Sequence, residues 1–318
     1  MMDGKEGFHG KSKDWLEQYY SPSRWSKRMK ADEVVEHHIK LCNEYSETTR
    51  QSVNGELSIA YGEKKAKMDI FYPTLMNADY TGYADSAIPV LLFVHGGYWQ
   101  AGGRKMYDFL SNAWTKAGCI AAIVGYNLAP EASLQQMVTE IQAAVKFVVN
   151  RFPKSNLFLS GHSAGAHLCA MMMVSDWSKD PFISQAVCGM FLISGVFDLL
   201  PIVGTYVNDE LKLDEDSAAR LSPQRILMKM SPTICCPVMA VVEEHGSPEF
   251  IRQSKEFADI LKSYNVPSSF IEMPGVDHFG IIENMINPED YLCKQILKVV
   301  EEEGGKRKKT DEIPNSGL

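Results

Sequence analysis

The sequence predicts an α/β fold in which a mainly parallel central sheet is covered by helices on both faces. Apolar runs such as 89–94 and 237–242 alternate with amphipathic helical segments such as 134–152 and 248–264. The predicted strands are apolar throughout rather than at alternate positions, which is typical of parallel strands buried on both faces. With 318 residues and 45% apolar composition, the chain is long enough to build this architecture around one large core.

Eight strands are predicted from apolar, β-branched or aromatic runs that end at turn-forming residues. In chain order they cover 57–61, 67–72, 89–94, 120–126, 156–160, 187–194, 237–242 and 268–273. Helices are predicted where apolar residues recur three and four positions apart. They cover 32–45, 105–116, 134–152, the stretch after Ser163, 248–264 and 288–300.

We expect a single domain at 13–302, with disordered polar ends at 1–12 and 303–318. The irregular insertion 198–234 lies between two predicted strands, is mixed in polarity and is expected to form a small cap over the functional site. An aromatic-rich segment at 15–25 is expected to fold back over the body of the protein.

The composition excludes several classes of function. A net charge of −8 argues against nonspecific binding of nucleic acid, because no basic face offsets it. No apolar run approaches the roughly 18 residues that a membrane span needs, and the polar start lacks a secretory signal. We therefore expect a cytoplasmic protein that binds neither nucleic acid nor membrane. The basic run 306–309 leaves a nuclear location open.

The seven cysteines are scattered, and several lie inside apolar runs, which is typical of reduced thiols in a cytosolic protein. The adjacent Cys235 and Cys236 have no second cysteine or histidine pair at metal-ligand spacing. We therefore interpret them as packing residues and predict no metal site.

The most informative motif is the pentapeptide Gly-His-Ser-Ala-Gly at 161–165, between a predicted strand and a predicted helix. A serine with glycines two positions away on each side of it, in a strand-to-helix turn, is typical of a nucleophile elbow. The turn is too tight for side chains at the flanking positions, which explains the glycines. The helix that starts at Ser163 directs backbone N–H groups towards the negative charge that the serine generates.

A second motif, His-Gly-Gly-Tyr-Trp at 95–99, follows the predicted strand 89–94. Gly96 and Gly97 let backbone N–H groups approach a substrate oxygen closely, and with the N–H of Ala164 they are predicted to form an oxyanion hole. The alternative is an ordinary glycine turn after a strand, which the presence of the elbow disfavours.

A third segment supplies a candidate base. His278 lies in a loop after the last predicted strand, where a nucleophile elbow of this kind has its histidine. Most of the eight histidines need no chemistry: His37 and His38 are expected on a surface helix, whereas His162 and His167 are expected to pack or hydrogen-bond locally.

Taken together, these motifs resemble the kynurenine formamidase (arylformamidase) family of the α/β-hydrolase superfamily. The matching segments are 20–25, 95–100, 161–168, 194–199, 222–225, 247–250 and 276–279. The resemblance implies an α/β-hydrolase fold and a serine hydrolase that cleaves N-formyl-L-kynurenine to L-kynurenine and formate in tryptophan catabolism. It implies a small-molecule substrate and no metal or organic cofactor, and it leaves open whether the protein is a homodimer. His95, Tyr98 and Trp99 belong to the family motif. Tyr98 and Trp99 are expected to line the aromatic pocket, with Trp99 packed beneath the loop as the alternative.

One departure from the family concerns the acid of the triad. The family has an aspartate immediately before the segment 247–250, and this chain has Gly246 there. Glu243, Glu244 and Asp198 are the candidate substitutes, because they follow the ends of neighbouring predicted strands. The alternatives are a weakly active or non-catalytic binding protein on the same scaffold, or a carboxylesterase of broad scope.

Overall fold

A computed structural model of the chain describes residues 10–73, 80–83 and 86–311. Its centre is an eight-stranded sheet. The strands are β1 (Gly55–Ala60), β2 (Lys67–Phe71), β3 (Val90–Val94), β4 (Ile120–Val124), β5 (Leu157–His162), β6 (Val187–Ile193), β7 (Val238–His245) and β8 (Ser268–Asp277). Across the sheet their order is β1-β2-β4-β3-β5-β6-β7-β8. All eight predicted strands are therefore present.

The sheet is parallel except at one side, where β2 pairs antiparallel with both β1 and β4. In the centre, Leu92 of β3 lies opposite Ala122 of β4 on one side and Leu159 of β5 on the other. These side chains are fully buried, as expected for a sheet covered on both faces. Because parallel strands point the same way, the loops after β3, β5, β6, β7 and β8 leave from one edge of the sheet, where ligands bind in folds of this kind.

Helices cover both faces of the sheet. They are α1 (Lys13–Tyr19), α2 (Ala31–Ser52), α3 (Leu110–Lys116), α4 (Leu134–Arg151), α5 (Ala164–Val174), α6 (Pro181–Ala186), α7 (Asn208–Leu211), α8 (Glu215–Arg220), α9 (Pro223–Leu227), α10 (Pro248–Ser263), α11 (Gly280–Glu283) and α12 (Tyr291–Asp311). One apolar cluster packs α4, α5 and α10 against one face, and a second packs α3 and α12 against the other. This arrangement confirms the predicted fold class.

Several boundaries differ from the sequence prediction. The helix predicted at 288–300 is α12, which continues to Asp311, so the prediction of a disordered tail from 303 is wrong for 303–311. Residues 312–318, together with residues 1–9 of the predicted disordered start, lie outside the described residues. The helix predicted at 105–116 is a 3-10 turn at Arg104–Met106 followed by α3.

The N-terminal aromatic segment folds back over the body of the protein, as predicted, and lies at the carboxyl edge of the sheet. Trp15 stacks on Tyr19 with ring centroids 4.1 Å apart, and Tyr19 meets Trp25 edge-on. The Tyr20 hydroxyl donates to Glu249 of α10 at 2.9 Å. Among the helices of the described residues, none combines the length and the apolar character that crossing a bilayer requires.

Candidate active site

Ser163 occupies the sharp turn between β5 and α5. Its backbone angles are φ 56° and ψ −120°, a conformation that non-glycine residues rarely adopt. The Ser163 N–H donates to the Ile193 carbonyl of β6 at 2.8 Å, which holds the turn against the sheet. A Cβ atom at Gly161 or Gly165 would overlap backbone atoms, so both positions require glycine, as the sequence predicts. A strained turn held in this way is typical of a functional residue.

His278 follows β8 and is fixed from two directions. Its Nδ1 lies 3.0 Å from Oε1 of Glu243, and because a carboxylate only accepts, Nδ1 carries the proton and Nε2 has the lone pair. The His278 carbonyl accepts a hydrogen bond from Nε2 of His162, the residue before the serine, at 2.9 Å. Phe250 packs edge-on against the ring.

Ser163 and His278 border the same cavity. Among the described residues, no group forms a hydrogen bond with the Ser163 hydroxyl or with Nε2 of His278. Hydrogen bonds of this kind often form only in the complex with substrate. The geometry therefore places a serine and a histidine with an available lone pair on the wall of one cavity.

The structure separates the three candidate acids. Glu243, in β7, is fully buried; one carboxylate oxygen contacts His278 and the other accepts from the Ser194 hydroxyl. Glu244, the next residue, is half-exposed and accepts from the N–H of Gly275 at 2.7 Å. Asp198 is paired with Nε of Arg225 at 2.7 Å. The predictions of Glu244 and Asp198 as partners of His278 are therefore wrong.

Gly246, the position at which the resemblance expects an aspartate, follows β7 and lies directly against the Glu243 side chain. The missing carboxylate at 246 is thus matched by a carboxylate three positions earlier, which contacts the same histidine.

The loop after β3 has an unusual backbone. Gly97, Tyr98 and Trp99 have consecutive positive φ angles of 108°, 50° and 61°. Nδ1 of His95 donates to the Gly96 carbonyl at 2.8 Å. The peptide bond between Gly96 and Gly97 is planar and trans, so its carbonyl and its N–H point in opposite directions. Because the carbonyl faces the His95 ring, the Gly97 N–H points away from that ring. The Ala164 N–H begins α5 and so has no partner within its own helix. The Gly97 and Ala164 N–H groups are the donors that the predicted oxyanion hole would use.

Three histidines near the site are held neutral. Burial lowers the pKa of His95 to about 4 and that of His167 to about 4. Burial also lowers the pKa of His162, well below its usual range, and the neighbouring His278 adds to this effect. His167 donates from Nε2 to the Leu221 carbonyl at 2.7 Å. The predicted local roles of His162 and His167 are therefore confirmed.

Of the three motif residues, Tyr98 borders the cavity, whereas His95 and Trp99 are buried beneath the loop. Tyr98 borders the cavity and donates its hydroxyl to the Tyr20 carbonyl at 2.6 Å. Trp99 is fully buried, with its ring edge-on to His167, and does not border the cavity. His95 is also buried below the loop. The expectation that Trp99 lines the pocket is wrong, and the alternative of packing beneath the loop is confirmed.

The cavity has a volume of about 320 Å³. The insertion after β6 contributes Tyr206 to the wall of the cavity, and residues 22–39, before and within α2, contribute a larger share. That share consists of Pro22, Ser23, Val35, His38 and Ile39. Among the described residues, none that borders the cavity is Asp, Glu, Lys or Arg. The wall therefore suits an uncharged, flat group with a few polar atoms.

His38 was expected on a surface helix, and this prediction is wrong. The residue is 4% exposed, and its side chain borders the cavity. Its Nδ1 lies 2.9 Å from Glu283, and its Nε2 lies 3.2 Å from the Tyr107 hydroxyl. Val34 and Cys42 of α2 are buried too. Val34, His38 and Cys42 are four residues apart, and this spacing is the sequence signal that could have identified a buried face of the helix.

Arg28 connects the N-terminal segment to the loop that carries the candidate base. Its Nε lies 2.8 Å from Asp277, and its Nη1 lies 2.7 Å from Glu283. Burial alone would raise the pKa of the Asp277 carboxyl, but hydrogen bonds from Arg28, Ser26 and the Gly280 N–H outweigh burial and hold that pKa below its usual value. Nothing in the sequence alone indicated this ion pair, because its members are far apart in the chain.

Fold and site together define the class of the protein: the chain is an α/β hydrolase. Residues 91–281, more than half of the chain, match the family described as the alpha/beta hydrolase fold. The crystal structure of a candidate thioesterase from Silicibacter superposes with a TM-score of 0.74 and 23% identity, covering 90% of this chain and 98% of that one. This likeness concerns the fold.

The nearer relationship is to kynurenine formamidases. The chain is 37% identical over 292 residues to that of Danio rerio, and 36% identical over 294 residues to that of Salmo salar. Each comparison covers 91% of this chain and 97% of the relative. The chain belongs to the kynurenine formamidase family, which confirms the resemblance drawn from its motifs.

Proposed function

We propose that this chain hydrolyses the formyl amide of N-formyl-L-kynurenine, releasing formate and L-kynurenine. Its relatives in Danio rerio and Salmo salar carry the name kynurenine formamidase. The observation that carries the proposal is the contact of 3.0 Å between His278 and Glu243, beside the cavity that Ser163 also borders. That contact supports the proposal although position 246 is a glycine, because it gives the histidine a carboxylate.

In the first step, Oγ of Ser163 attacks the formyl carbon while Nε2 of His278 accepts the hydroxyl proton. The resulting imidazolium is stabilised by Glu243, which receives the hydrogen bond of Nδ1. The oxyanion accepts hydrogen bonds from the N–H groups of Ala164 and Gly97, with Gly96 as the alternative donor.

In the second step, the C–N bond breaks and His278 gives its proton to the departing aryl amine. The aniline nitrogen is conjugated with an ortho ketone, so it is a weaker base than an alkyl amine and leaves more readily. Water then attacks the formyl ester of Ser163 with His278 again accepting a proton, and formate departs as the serine regains its proton.

The cavity wall supports an aryl substrate. Tyr98, Tyr107 and Phe279 provide aromatic surface, and no ionised carboxylate, ammonium or guanidinium among the described residues borders the space. The aryl formamide part is recognised there, and the charged amino-acid part of the substrate extends to the solvent side, where desolvation does not penalise it.

The test is to mix the purified protein with N-formyl-L-kynurenine and to follow the absorbance of kynurenine. We expect turnover, and we expect Ser163→Ala to abolish it while the protein remains folded by circular dichroism. The exposed Ser263→Ala is the matched control, because this serine only caps a local turn. Turnover by Ser163→Ala at the rate of the unmodified protein would end the mechanism.

A carboxylesterase of broad scope is the second candidate, and the uncharged cavity wall favours it. Both reactions use the same residues, so the comparison of kcat/KM for N-formyl-L-kynurenine with that for short aryl esters decides between them. A preference for the esters by several orders of magnitude would replace the formamidase assignment. The third alternative, a non-catalytic binding protein, requires that a fluorophosphonate leave Ser163 unlabelled.

We also propose that the protein acts in the cytoplasm, where its seven cysteine thiols stay reduced. Imaging of a tagged chain would show whether the nucleus is included. Light scattering after size-exclusion chromatography would distinguish a monomer from a homodimer.

A further inference from the structure

Glu243 is held by contacts at both carboxylate oxygens. Oε1 lies 3.0 Å from Nδ1 of His278, and Oε2 accepts the hydrogen bond of the Ser194 hydroxyl. All three side chains are buried, so neither oxygen is exposed to bulk solvent. The orientation of the imidazole therefore depends on where β7 places this carboxylate.

Gly246 lies where any larger residue would collide with that carboxylate. A Cβ atom built at this position would lie 2.5 Å from both Cγ and Oε1 of Glu243 and 2.7 Å from Cδ. Carbon atoms in real structures do not approach this closely. Gly246 does not have a positive φ angle, so its backbone conformation does not require glycine. The requirement is steric, and the atoms that impose it belong to Glu243.

Ser194 supplies the remaining contact. It follows β6, next to β7, and its N–H donates to the Val241 carbonyl at 2.7 Å. Its φ angle is 52°, a conformation that aims the hydroxyl at the neighbouring strand's glutamate at some cost in backbone strain. Without this hydroxyl, Oε2 would be buried with no donor.

We propose that Glu243, Ser194 and Gly246 form one coupled unit, in which the carboxylate serves His278 from position 243 only while position 246 carries no side chain. Ser194 and Gly246 are positioning residues that act through Glu243. A single carboxylate can then serve His278 from position 243 or from position 246, but not from both. This inference rests on the proposed function in that His278 acts as the base towards Ser163.

The first test is a double-mutant cycle. Gly246→Ala in the unmodified protein should slow fluorophosphonate labelling of Ser163 at least about tenfold and lower the unfolding temperature by about 5 °C, because the added methyl overpacks against Glu243. In the Glu243→Ala background, Gly246→Ala should change neither quantity, because the colliding side chain is gone. Gly82→Ala is the control, since a Cβ atom there meets nothing within 4 Å.

The second test moves the carboxylate. Glu243→Ala should slow labelling by about three to four orders of magnitude, as expected for loss of a triad acid. Gly246→Asp alone should also slow labelling. Combined, Glu243→Ala with Gly246→Asp should label at least about tenfold faster than Glu243→Ala alone, because the aspartate enters the vacated volume. A structural role of Gly246 would give no such recovery.

The third test is the variant Ser194→Ala. We expect kcat for an activated aryl ester to fall about tenfold with KM unchanged, because the loss concerns proton transfer and not ester binding. Additive effects of Gly246→Ala and Glu243→Ala, or a combined Glu243→Ala and Gly246→Asp variant no faster than Glu243→Ala, would overturn the proposal. Labelling and unfolding do not involve N-formyl-L-kynurenine, so a failure to hydrolyse that substrate would count against the proposed function alone.

Discussion

Two histidines of this protein, His278 and His38, are each paired through Nδ1 with a buried glutamate, at 3.0 and 2.9 Å. Both border the same cavity. The pairs differ at the other ring nitrogen. Because Nδ1 of His38 donates to Glu283, its Nε2 accepts the hydroxyl of Tyr107. Nε2 of His278 forms no hydrogen bond with any described residue.

The carboxylates differ as well. Glu283 is shared between His38 and Arg28, so its negative charge is already balanced by a guanidinium. Among the described residues, the second partner of Glu243 is the neutral Ser194 hydroxyl, so its charge remains available to stabilise an imidazolium. We therefore infer that His278, whose second nitrogen is unoccupied and whose carboxylate has no competing cation, is suited to act as a base, whereas His38 is not.

The largest expected difference between the pairs is in turnover. Glu243→Gln should lower kcat/KM by about four orders of magnitude, or about 5 kcal/mol of transition-state stabilisation, because the amide cannot balance the imidazolium. Glu283→Gln should leave kcat within about threefold but lower the free energy of unfolding by about 3 kcal/mol, since Arg28 loses a buried partner. Steady-state kinetics and urea unfolding measure the two quantities.

Glu244→Gln is the matched control for Glu243→Gln. Its side-chain oxygen can still accept from the Gly275 N–H, so kinetics and stability should both stay unchanged. Equal losses of kcat/KM in Glu243→Gln and Glu283→Gln would mean that the two histidines do not divide their roles as described.

The sequence predicted Ser163 and His278 because local patterns and chain order carry them: glycines around the first, and a loop after the last strand for the second. It could not choose among the acids. Alternation along β7 separates Glu243 from Glu244, but which of them faces His278 depends on the shift in pairing with β8 between Glu243 and His245. That shift has no signal in the local sequence.

The same limit applies to the partners of His38, although the four-residue spacing of Val34, His38 and Cys42 could have indicated its burial. Glu283, which contacts His38, also pairs with Arg28, and these residues come together only when the N-terminal segment crosses the carboxyl edge of the sheet. Pairs of charged residues so far apart in the chain cannot be read from periodicity.

The next largest effect is expected at Arg28. Arg28→Ala leaves Asp277 and Glu283 without their guanidinium and should lower the free energy of unfolding by about 2 to 3 kcal/mol. Because Asp277 precedes His278, we also expect kcat to fall about tenfold. Lys262→Ala, which removes an exposed pair with Asp259, should change stability by less than about 1 kcal/mol. Equal losses of stability in Arg28→Ala and Lys262→Ala would contradict a role for Arg28 in holding the N-terminal segment to the loop that carries His278.

Stability should also fall in acid. Burial tends to raise the pKa values of Asp277 and Glu283, but hydrogen bonds from Arg28 and other donors hold both below their unfolded values. The unfolded chain therefore binds more protons in this range, so stability is present above the unfolded pKa values and is lost as pH falls through the folded ones. Urea unfolding measured from about pH 7 to about pH 3, a range that includes the ordinary pKa values of aspartate and glutamate, should show this slope, and Arg28→Ala should flatten it.

The smallest expected effect is at Tyr107. Tyr107→Phe removes the hydroxyl that occupies Nε2 of His38 and should lower the free energy of unfolding by about 1 kcal/mol, since one buried hydrogen bond is lost. Turnover should stay within about threefold, because freeing that nitrogen does not bring it to Ser163. A loss of kcat as large as that of Glu243→Gln would mean that His38 exchanges protons during the reaction. In that case the base would be His38, whose Nε2 is hydrogen-bonded to Tyr107, and not His278.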